Sequence, residues 1–224
     1  MTFSIVAHCT RTGQFGVAAA TAMPAVGKLL THAAAGAGAV ATQARINPYL
    51  GIDGLRLLQQ GLSADAVIDR LAQMDPRMDL RQVAVVDARG RAAVHTGSGC
   101  PHWAGHFTGE GFAIQGNRVT RPEVLERARE ALLRDLELPL ARRLVDALKA
   151  GDTQGGDRKG ENSSTIYVVD SEEYPLWDIR VDQHPRPLEE LERLFHVFEK
   201  DVVPQIKRMP SRAHPAGEEG EEVA

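Results

Sequence analysis

The chain has 224 residues, of which 43% are hydrophobic and 25% charged, values typical of a soluble globular protein of one or two domains. A net charge of −4 offers no electrostatic basis for binding nucleic acid or an anionic membrane. No apolar run approaches the roughly 20 residues that span a bilayer, and no signal peptide opens the chain. Cys9 and Cys100 are expected to be reduced thiols. We therefore expect a cytoplasmic protein without nucleic-acid or membrane partners.

The first seven residues alternate between two sets of β-prone side chains and predict a strand that begins at residue 2. Thr2 follows Met1 directly, and a small second residue allows methionine aminopeptidase to remove Met1. Thr2 would then carry both a hydroxyl that can attack and an α-amine that can take its proton. Because an α-amine titrates at about 7.7–8.0, part of it is free base near neutral pH. The sequence thus raises the hypothesis of an N-terminal threonine nucleophile.

Hydrophobic periodicity and turn residues divide the rest of the chain into strands and paired helices. Ser63 is predicted to cap one helix, and Thr120 with Glu123 to form a capping box for another. The motif Gly-Ala-Gly-Ala-Val-Ala at 36–41 matches a dinucleotide fingerprint, but it leads into β-like sequence and is rejected. The predicted strands are 2–7, 15–21, 39–44, 82–87, 91–96, 112–117, 163–170 and 176–181. The predicted helices are 49–60, 64–72, 120–135, 140–148 and one beginning at Pro187.

This order of strands and helix pairs predicts an α+β fold, a four-layer αββα sandwich, although an ordinary three-layer α/β fold would give the same string. Residues 1–203 are expected to form a single domain. Residues 204–224 contain prolines and an acidic run and are predicted to be a disordered tail.

Five blocks in the chain, taken in order, resemble the family of unknown function DUF1028. They are 2–7, 40–44 with Asn47-Pro48, 103–105, 109–117, and 155–158 with Gly160. The resemblance extends from residue 2 to about residue 200. That family is grouped by fold with N-terminal nucleophile (Ntn) hydrolases, so the resemblance implies the αββα sandwich and strengthens the case for Thr2.

The candidate catalytic residues lie at a strand end and in a glycine-rich loop. Gln115 and Asn117 flank Gly116 at the end of a strand and are candidate donors to an oxyanion. Asp157 is a candidate for holding the Thr2 amine, and Arg158 for binding a substrate carboxylate in a bidentate way. The alternatives are a polar turn for the first set and a loop ion pair for the second.

Three further residues are candidate substrate contacts. Thr42 and Gln43 end a buried strand and would either orient Thr2 or satisfy backbone groups. Trp103 would wall the pocket or fill the core.

Cys100, His102 and His106 have a spacing that resembles metal ligands, but a zinc site needs a fourth partner that the sequence does not place nearby. We therefore expect neither a metal ion nor an organic cofactor.

The sequence as a whole predicts a hydrolase that cleaves a small-molecule amide or related C–N bond through Thr2. Two alternatives remain open: a non-catalytic ligand-binding protein, and a deaminase or imine hydrolase that uses water as its nucleophile. The expected partner is a small-molecule substrate, and apolar helix faces with small residues would allow a homodimer.

Overall fold

The computed structural model of the protein describes residues 2–153 and 160–218. These residues form an α+β fold with two antiparallel sheets. The strands are β1 Thr2–His8, β2 Phe15–Thr21, β3 Thr31–Ala34, β4 Gly38–Ala44, β5 Arg81–Asp87, β6 Ala92–Thr96, β7 Ala104–Gly109, β8 Phe112–Asn117, β9 Ser163–Val169 and β10 Pro175–Val181. The helices are α1 Pro48–Gln59, α2 Ala64–Met74, α3 Glu123–Leu133, α4 Leu140–Asp152, α5 Pro187–Val197 and α6 Val203–Ile206.

The larger sheet has the strand order β10-β9-β2-β1-β8-β7, and the smaller sheet has the order β3-β4-β5-β6. Strand β1 therefore lies inside the larger sheet, paired with β2 on one side and β8 on the other. The predicted first strand is confirmed, and its central position fixes the backbone of Thr2. The predicted pairing of β5 with β6 as a hairpin is also confirmed.

Side-chain alternation along β1 separates two hydrophobic clusters. Phe3 and Ile5 pack with residues of α3, α4 and α5, whereas Val6 packs in a cluster shared by both sheets. Because successive residues of a strand point to opposite faces, Thr2 and Ser4 share the face of Val6, toward the smaller sheet. A third cluster joins the smaller sheet to α1 and α2.

Local signals explain several helix boundaries. Ser63 caps α2 as predicted, its Oγ accepting the Ala66 N–H at 3.3 Å. Such a cap contributes about 1 kcal/mol. The helix predicted from the capping box of Thr120 and Glu123 begins at Glu123, with Pro122 as its N-cap residue. Proline lacks the backbone N–H and fixes φ near its helical value, so it suits the start of a helix.

The segment predicted as a tail is partly ordered. Helix α6 covers Val203–Ile206, and the Tyr174 hydroxyl donates to the Pro210 carbonyl at 2.9 Å. The Arg212 backbone N–H also donates to the Glu172 carboxylate at 3.2 Å. These contacts hold part of the 207–218 segment against the loop before β10. Residues 219–224 lie outside the described part of the chain.

Within the described residues, no helix is long and apolar enough to cross a membrane.

Candidate active site

Polar residues collect at one end of the layer between the two sheets. Across β1, Thr2 stands opposite Thr21 of β2 and Asn117 of β8. Gln43 and Gln82 stand opposite one another at the facing end of β4 and β5 in the smaller sheet. All of these except half-buried Thr2 are buried. A buried polar group costs stability unless it is hydrogen-bonded, so this cluster is the candidate site.

A pocket of about 360 Å³ opens beside this cluster. Its volume is within the range of small-molecule sites. Thr2 and Asn117 contribute its polar lining. The described residues that complete it are Met23, Ala44, Arg45, Leu80, Gly99, Pro101 and Arg118. A larger pocket of about 470 Å³ lies beside the C-terminal segment 206–218, but its described lining contains none of the predicted site residues.

Thr2 is held from three directions. Its Oγ1 lies 3.0 Å from the Thr21 Oγ1, and its carbonyl accepts a hydrogen bond from Gln43 Nε2 at 3.3 Å. The two flanking strands fix its backbone. The contact from Gln43 fits both alternatives given for that residue, because it holds Thr2 and also satisfies a backbone carbonyl.

A network of side-chain amides holds Gln43 in the position from which it contacts Thr2. Gln82 Oε1 accepts from Gln43 Nε2 at 2.7 Å and from Asn117 Nδ2 at 3.2 Å. Gln82 Nε2 lies 3.0 Å from the Gly116 carbonyl and 3.0 Å from Thr96 Oγ1. Gln82 therefore ties β8 of one sheet to β4 and β6 of the other. Gln82 was not among the predicted site residues, although a glutamine directly before the apolar run 83–86 was the available signal.

The two predicted oxyanion donors differ in their surroundings. Asn117 lines the pocket, and the hydrogen bond to Gln82 uses only one of its two side-chain N–H groups. Gln115 is fully buried, and its Nε2 donates to Ser4 Oγ at 3.2 Å and to the Ala41 carbonyl at 3.1 Å. The structure therefore leaves Asn117 available to a ligand and commits Gln115 to joining the sheets.

Two predicted substrate contacts lie elsewhere. The Thr42 hydroxyl donates to the Asn47 carbonyl at 3.3 Å, on the opposite face of β4 from Gln43. Trp103 packs against the cluster formed with the helices of the larger sheet and does not line the pocket. The contact of Thr42 is with a backbone group, and Trp103 packs against the core, which are the alternative roles given for these two residues.

Asp157 and Arg158 lie outside the described residues. Their assignments as holder of the amine and binder of a carboxylate stay predictions.

Two arginines that the sequence analysis did not single out line the pocket. Arg45 follows β4 and Arg118 follows β8, and both are exposed. The residue before Arg45, Ala44, has φ of 70°, and Arg118 itself has φ of 55°. Left-handed backbone is uncommon for residues other than glycine and is concentrated at functional sites. Their positions just after Gln43 and Asn117, the polar residues at the ends of β4 and β8, were the signal available in the sequence.

The spaced cysteine and histidines do not come together as ligands. Cys100 Sγ contacts the Arg81 carbonyl at 3.3 Å, whereas His106 Nδ1 contacts Thr96 Oγ1 at 2.9 Å. Burial, with a smaller effect from neighbouring His95, lowers the pKa of His106. No group of three or more metal-ligating side chains occurs in ranges 2–153 and 160–218.

The pocket is electropositive. Arg45 and Arg118 are its charged residues among the described lining, which contains no carboxylate, histidine, cysteine or lysine. Of the side chains described there, none can accept a proton near neutral pH.

Two antiparallel sheets with a polar pocket at their shared end define an α+β protein. The sequence matches the model of DUF1028, a family of unknown function, over residues 2–191, and the chain belongs to that family. No curated protein sequence matches it.

Solved structures with a similar fold include another member of this family. A protein from Silicibacter pomeroyi, described by the same family model, has a TM-score of 0.88 at 29% identity. The similarity covers 96% of this chain and 98% of that one. Anbu (ancestral beta-subunit) from Yersinia bercovieri has a TM-score of 0.42 at 11% identity, covering 91% of this chain and 97% of that one.

Proposed function

We propose that this protein is an Ntn-type hydrolase that cleaves the C–N bond of a small amide with Thr2 as nucleophile, after removal of Met1. The observation that carries the proposal is the position of Thr2. Its hydroxyl lines a pocket of small-molecule size while its backbone is fixed by β1, its strand neighbours and Gln43. Reactions of this kind depend on holding the nucleophile in place before the substrate arrives.

The fold supports the same proposal. One hydrophobic cluster is shared by the two sheets, and each sheet has a second cluster with helices on its other face. We take this as the αββα order of layers that an Ntn hydrolase requires, with the first strand inside its sheet and Thr2 at the N-terminal end of that strand.

The chemistry follows from the groups around Thr2. The Thr2 Oγ attacks the amide carbonyl carbon, and the α-amine of Thr2 takes the hydroxyl proton. The second side-chain N–H of Asn117 stabilises the oxyanion. The C–N bond then breaks, the leaving amine receives the proton, and water hydrolyses the Thr2 ester. The α-amine fills the role of base because the described pocket side chains offer none.

The test combines the state of the N-terminus with two substitutions. Protein from its own host is examined by intact mass and N-terminal sequencing, and amine release is measured over a panel of small amides. We expect a free Thr2. We also expect Thr2→Ala to lower turnover at least about a thousandfold, as loss of a nucleophile does. Thr2→Ser, which keeps a hydroxyl, should retain measurable turnover, and neither variant should shift the melting temperature appreciably.

Three results would contradict the proposal, and each points elsewhere. Retained Met1 excludes the N-terminal amine as base. Partial turnover in Thr2→Ala indicates a deaminase or imine hydrolase with water as nucleophile. Ligand binding that Thr2→Ala preserves, without turnover in any variant, indicates a binding protein.

A further inference from the structure

We propose that Arg45 and Arg118 bind a carboxylate of the substrate, so that the protein acts on small N-acyl amino acids or closely similar anionic amides. This inference rests on the proposed function for the reacting C–N bond. The carboxylate site itself is argued from the two arginines, the shape of the pocket and its charge.

The two arginines line the same pocket and follow strands of different sheets. Arg45 follows the last residue of β4 in the smaller sheet, and Arg118 follows the last residue of β8 in the larger sheet. Both line the pocket that Thr2 and Asn117 line. A ligand held by both arginines therefore lies across the open end of the layer between the sheets, beside the Thr2 hydroxyl.

Neither arginine has an ion-pair partner among the described residues. By contrast, Arg81, next to the pocket, pairs with Asp75 at 2.8 Å. Arginine remains protonated at every physiological pH, and the described lining contains no carboxylate to balance the charge. The described lining therefore presents two positive charges without a carboxylate, and a planar carboxylate is the group that a guanidinium binds in a bidentate way.

Hydrogen bonds fix the backbone at both arginines. The Arg45 N–H donates to the Leu80 carbonyl at 3.2 Å, and the Arg45 carbonyl accepts from Arg81 Nη1. The Arg118 N–H donates to the Pro101 carbonyl at 3.0 Å. These bonds hold the left-handed turns at Ala44 and Arg118, whose strain must be offset by the surrounding structure.

The rest of the lining selects the size and character of the substrate. Met23, Leu80 and Pro101 supply an apolar wall for a short aliphatic group. The volume of about 360 Å³ is near the lower end for ligand pockets. An amide with one carboxylate and a short side chain matches the positive charge of the arginines, the apolar wall and the volume of the pocket.

The test is a binding measurement that does not depend on turnover. Calorimetric titrations use Thr2→Ala protein, so that no probe is consumed, at fixed ionic strength. The probes are N-acetylglycine, N-acetyl-L-alanine and N-acetyl-L-leucine, each against its neutral carboxamide. We expect at least one carboxylate to bind about tenfold or more tightly than its carboxamide, as a charge-assisted hydrogen-bonded pair predicts.

Substitutions assign the preference to the two arginines. Arg45→Gln and Arg118→Gln should each reduce carboxylate binding about tenfold while changing carboxamide binding little. Arg45→Lys should restore part of the loss, because it keeps the charge without the planar fork. Arg89→Gln, at an exposed arginine in the β5–β6 turn and outside the described pocket lining, is the matched control and should bind like the parent.

Equal binding of carboxylates and carboxamides, or no binding of either, would overturn the inference. So would a carboxylate preference that both arginine variants retain. Failure of the proposed function appears elsewhere, in turnover and the state of the N-terminus, so the carboxylate site can stand even if Thr2 is not a nucleophile.

Discussion

At the scale of single residues, Gln82 shows how the two sheets are locked together at the site. Its side chain is fully buried and satisfies groups on Gln43, Thr96, Gly116 and Asn117. Removing one partner of a buried polar network leaves the other groups without a hydrogen bond, and each such group costs about 1–3 kcal/mol of stability. The network therefore couples stability to the geometry of the pocket.

Replacing Gln82 tests this coupling. We expect Gln82→Leu to lower the free energy of unfolding by about 2–4 kcal/mol, because at least two buried groups lose partners. It should also reduce turnover or probe binding at the pocket, since Asn117 and Gln43 lose their fixed orientation. Urea unfolding followed by fluorescence gives the stability. Gln59→Leu, at an exposed position in α1, is the control; equal effects of the two variants would refute the structural role of Gln82.

Sequence reasoning found only part of the site, for a physical reason. Thr2, Gln43 and Asn117 could be predicted because each lies at the polar start or end of a strand. Arg45 and Gln82 lie just as close to strand ends but were passed over. Their significance depends on which strands pair and which sheets face each other, and strand order is set by long-range packing that local pattern does not encode.

At the scale of elements, helix α1 contains two glycines whose surroundings differ sharply. A Cβ at Gly51 would lie 2.1 Å from His32 Cδ2, whereas a Cβ at Gly54 would lie 3.4 Å from its nearest neighbour, Leu71 Cδ1. The first distance is a clash and the second is ordinary contact. The absence of a Cβ at Gly51 thus lets β3 approach the helix closely, whereas Gly54 has no such role and only lowers the helix propensity of α1.

The two positions make a matched pair. Gly54→Ala should raise the free energy of unfolding by about 0.5–1 kcal/mol, the gain in helix propensity. Gly51→Ala should lower it by about 1–3 kcal/mol, because the His32 ring must move and lose its bond to the Leu29 carbonyl. Chemical denaturation measures both, and Gly51→Ala combined with His32→Ala should recover part of the loss. Stabilisation by Gly51→Ala alone would refute the close approach.

The elements that sequence reasoning missed share a cause. Strand β3 has only four residues, and β7 contains Gly105 and Gly109, so neither gives a strong alternating pattern. Helices α2 and α4 could be predicted closely because their apolar faces repeat at helical spacing over several turns. Short edge strands form because a neighbouring strand offers a partner, which is information outside their own sequence.

At the scale of the whole molecule, buried and partly buried ionisable groups on separate elements all make the fold less stable as the pH falls. Glu192 of α5 accepts hydrogen bonds from Arg142 and Lys149 of α4. The hydrogen bond from Arg142 is the largest effect, and with Lys149 it outweighs burial and lowers the pKa of Glu192 to about 2. A carboxyl whose pKa is depressed by folding stabilises above its ordinary pKa and loses that contribution as the pH falls toward the folded value.

Two aspartates act in the same direction. Burial alone would raise the pKa of Asp87, but hydrogen bonds from the Arg89, Ala64 and Arg91 backbones and the Arg91 side chain outweigh it and lower the pKa. Burial alone would likewise raise the pKa of Asp75, but hydrogen bonds led by that from the Arg81 side chain outweigh it and lower the pKa. The stabilisation from both is present above about pH 4 and lost below it.

Two partly buried histidines lose their contribution to stability at a higher pH than these carboxylates. Burial lowers the pKa of His32, and at His8 burial outweighs the opposing charge of Asp87. The unfolded chain therefore binds protons at these residues more readily than the folded chain. Their contribution to stability is complete above the ordinary histidine pKa of about 6.5 and declines as the pH falls below it.

These effects predict a two-stage loss of stability on acidification, a gentle one below about pH 6.5 and a steeper one below about pH 4. Glu192→Gln should lower the free energy of unfolding at pH 7 by about 1–2 kcal/mol, the value of a partly buried ion pair after solvent screening. Because the variant has no charge to lose, its difference from the parent should shrink between pH 4.5 and 2. Urea unfolding at half-unit pH intervals measures both curves, with Glu189→Gln, at a solvent-exposed pair with Arg186, as the control. A constant difference between Glu192→Gln and the parent down to pH 2 would refute the assignment, since the depressed pKa of Glu192 requires the two curves to converge as that carboxylate takes up its proton.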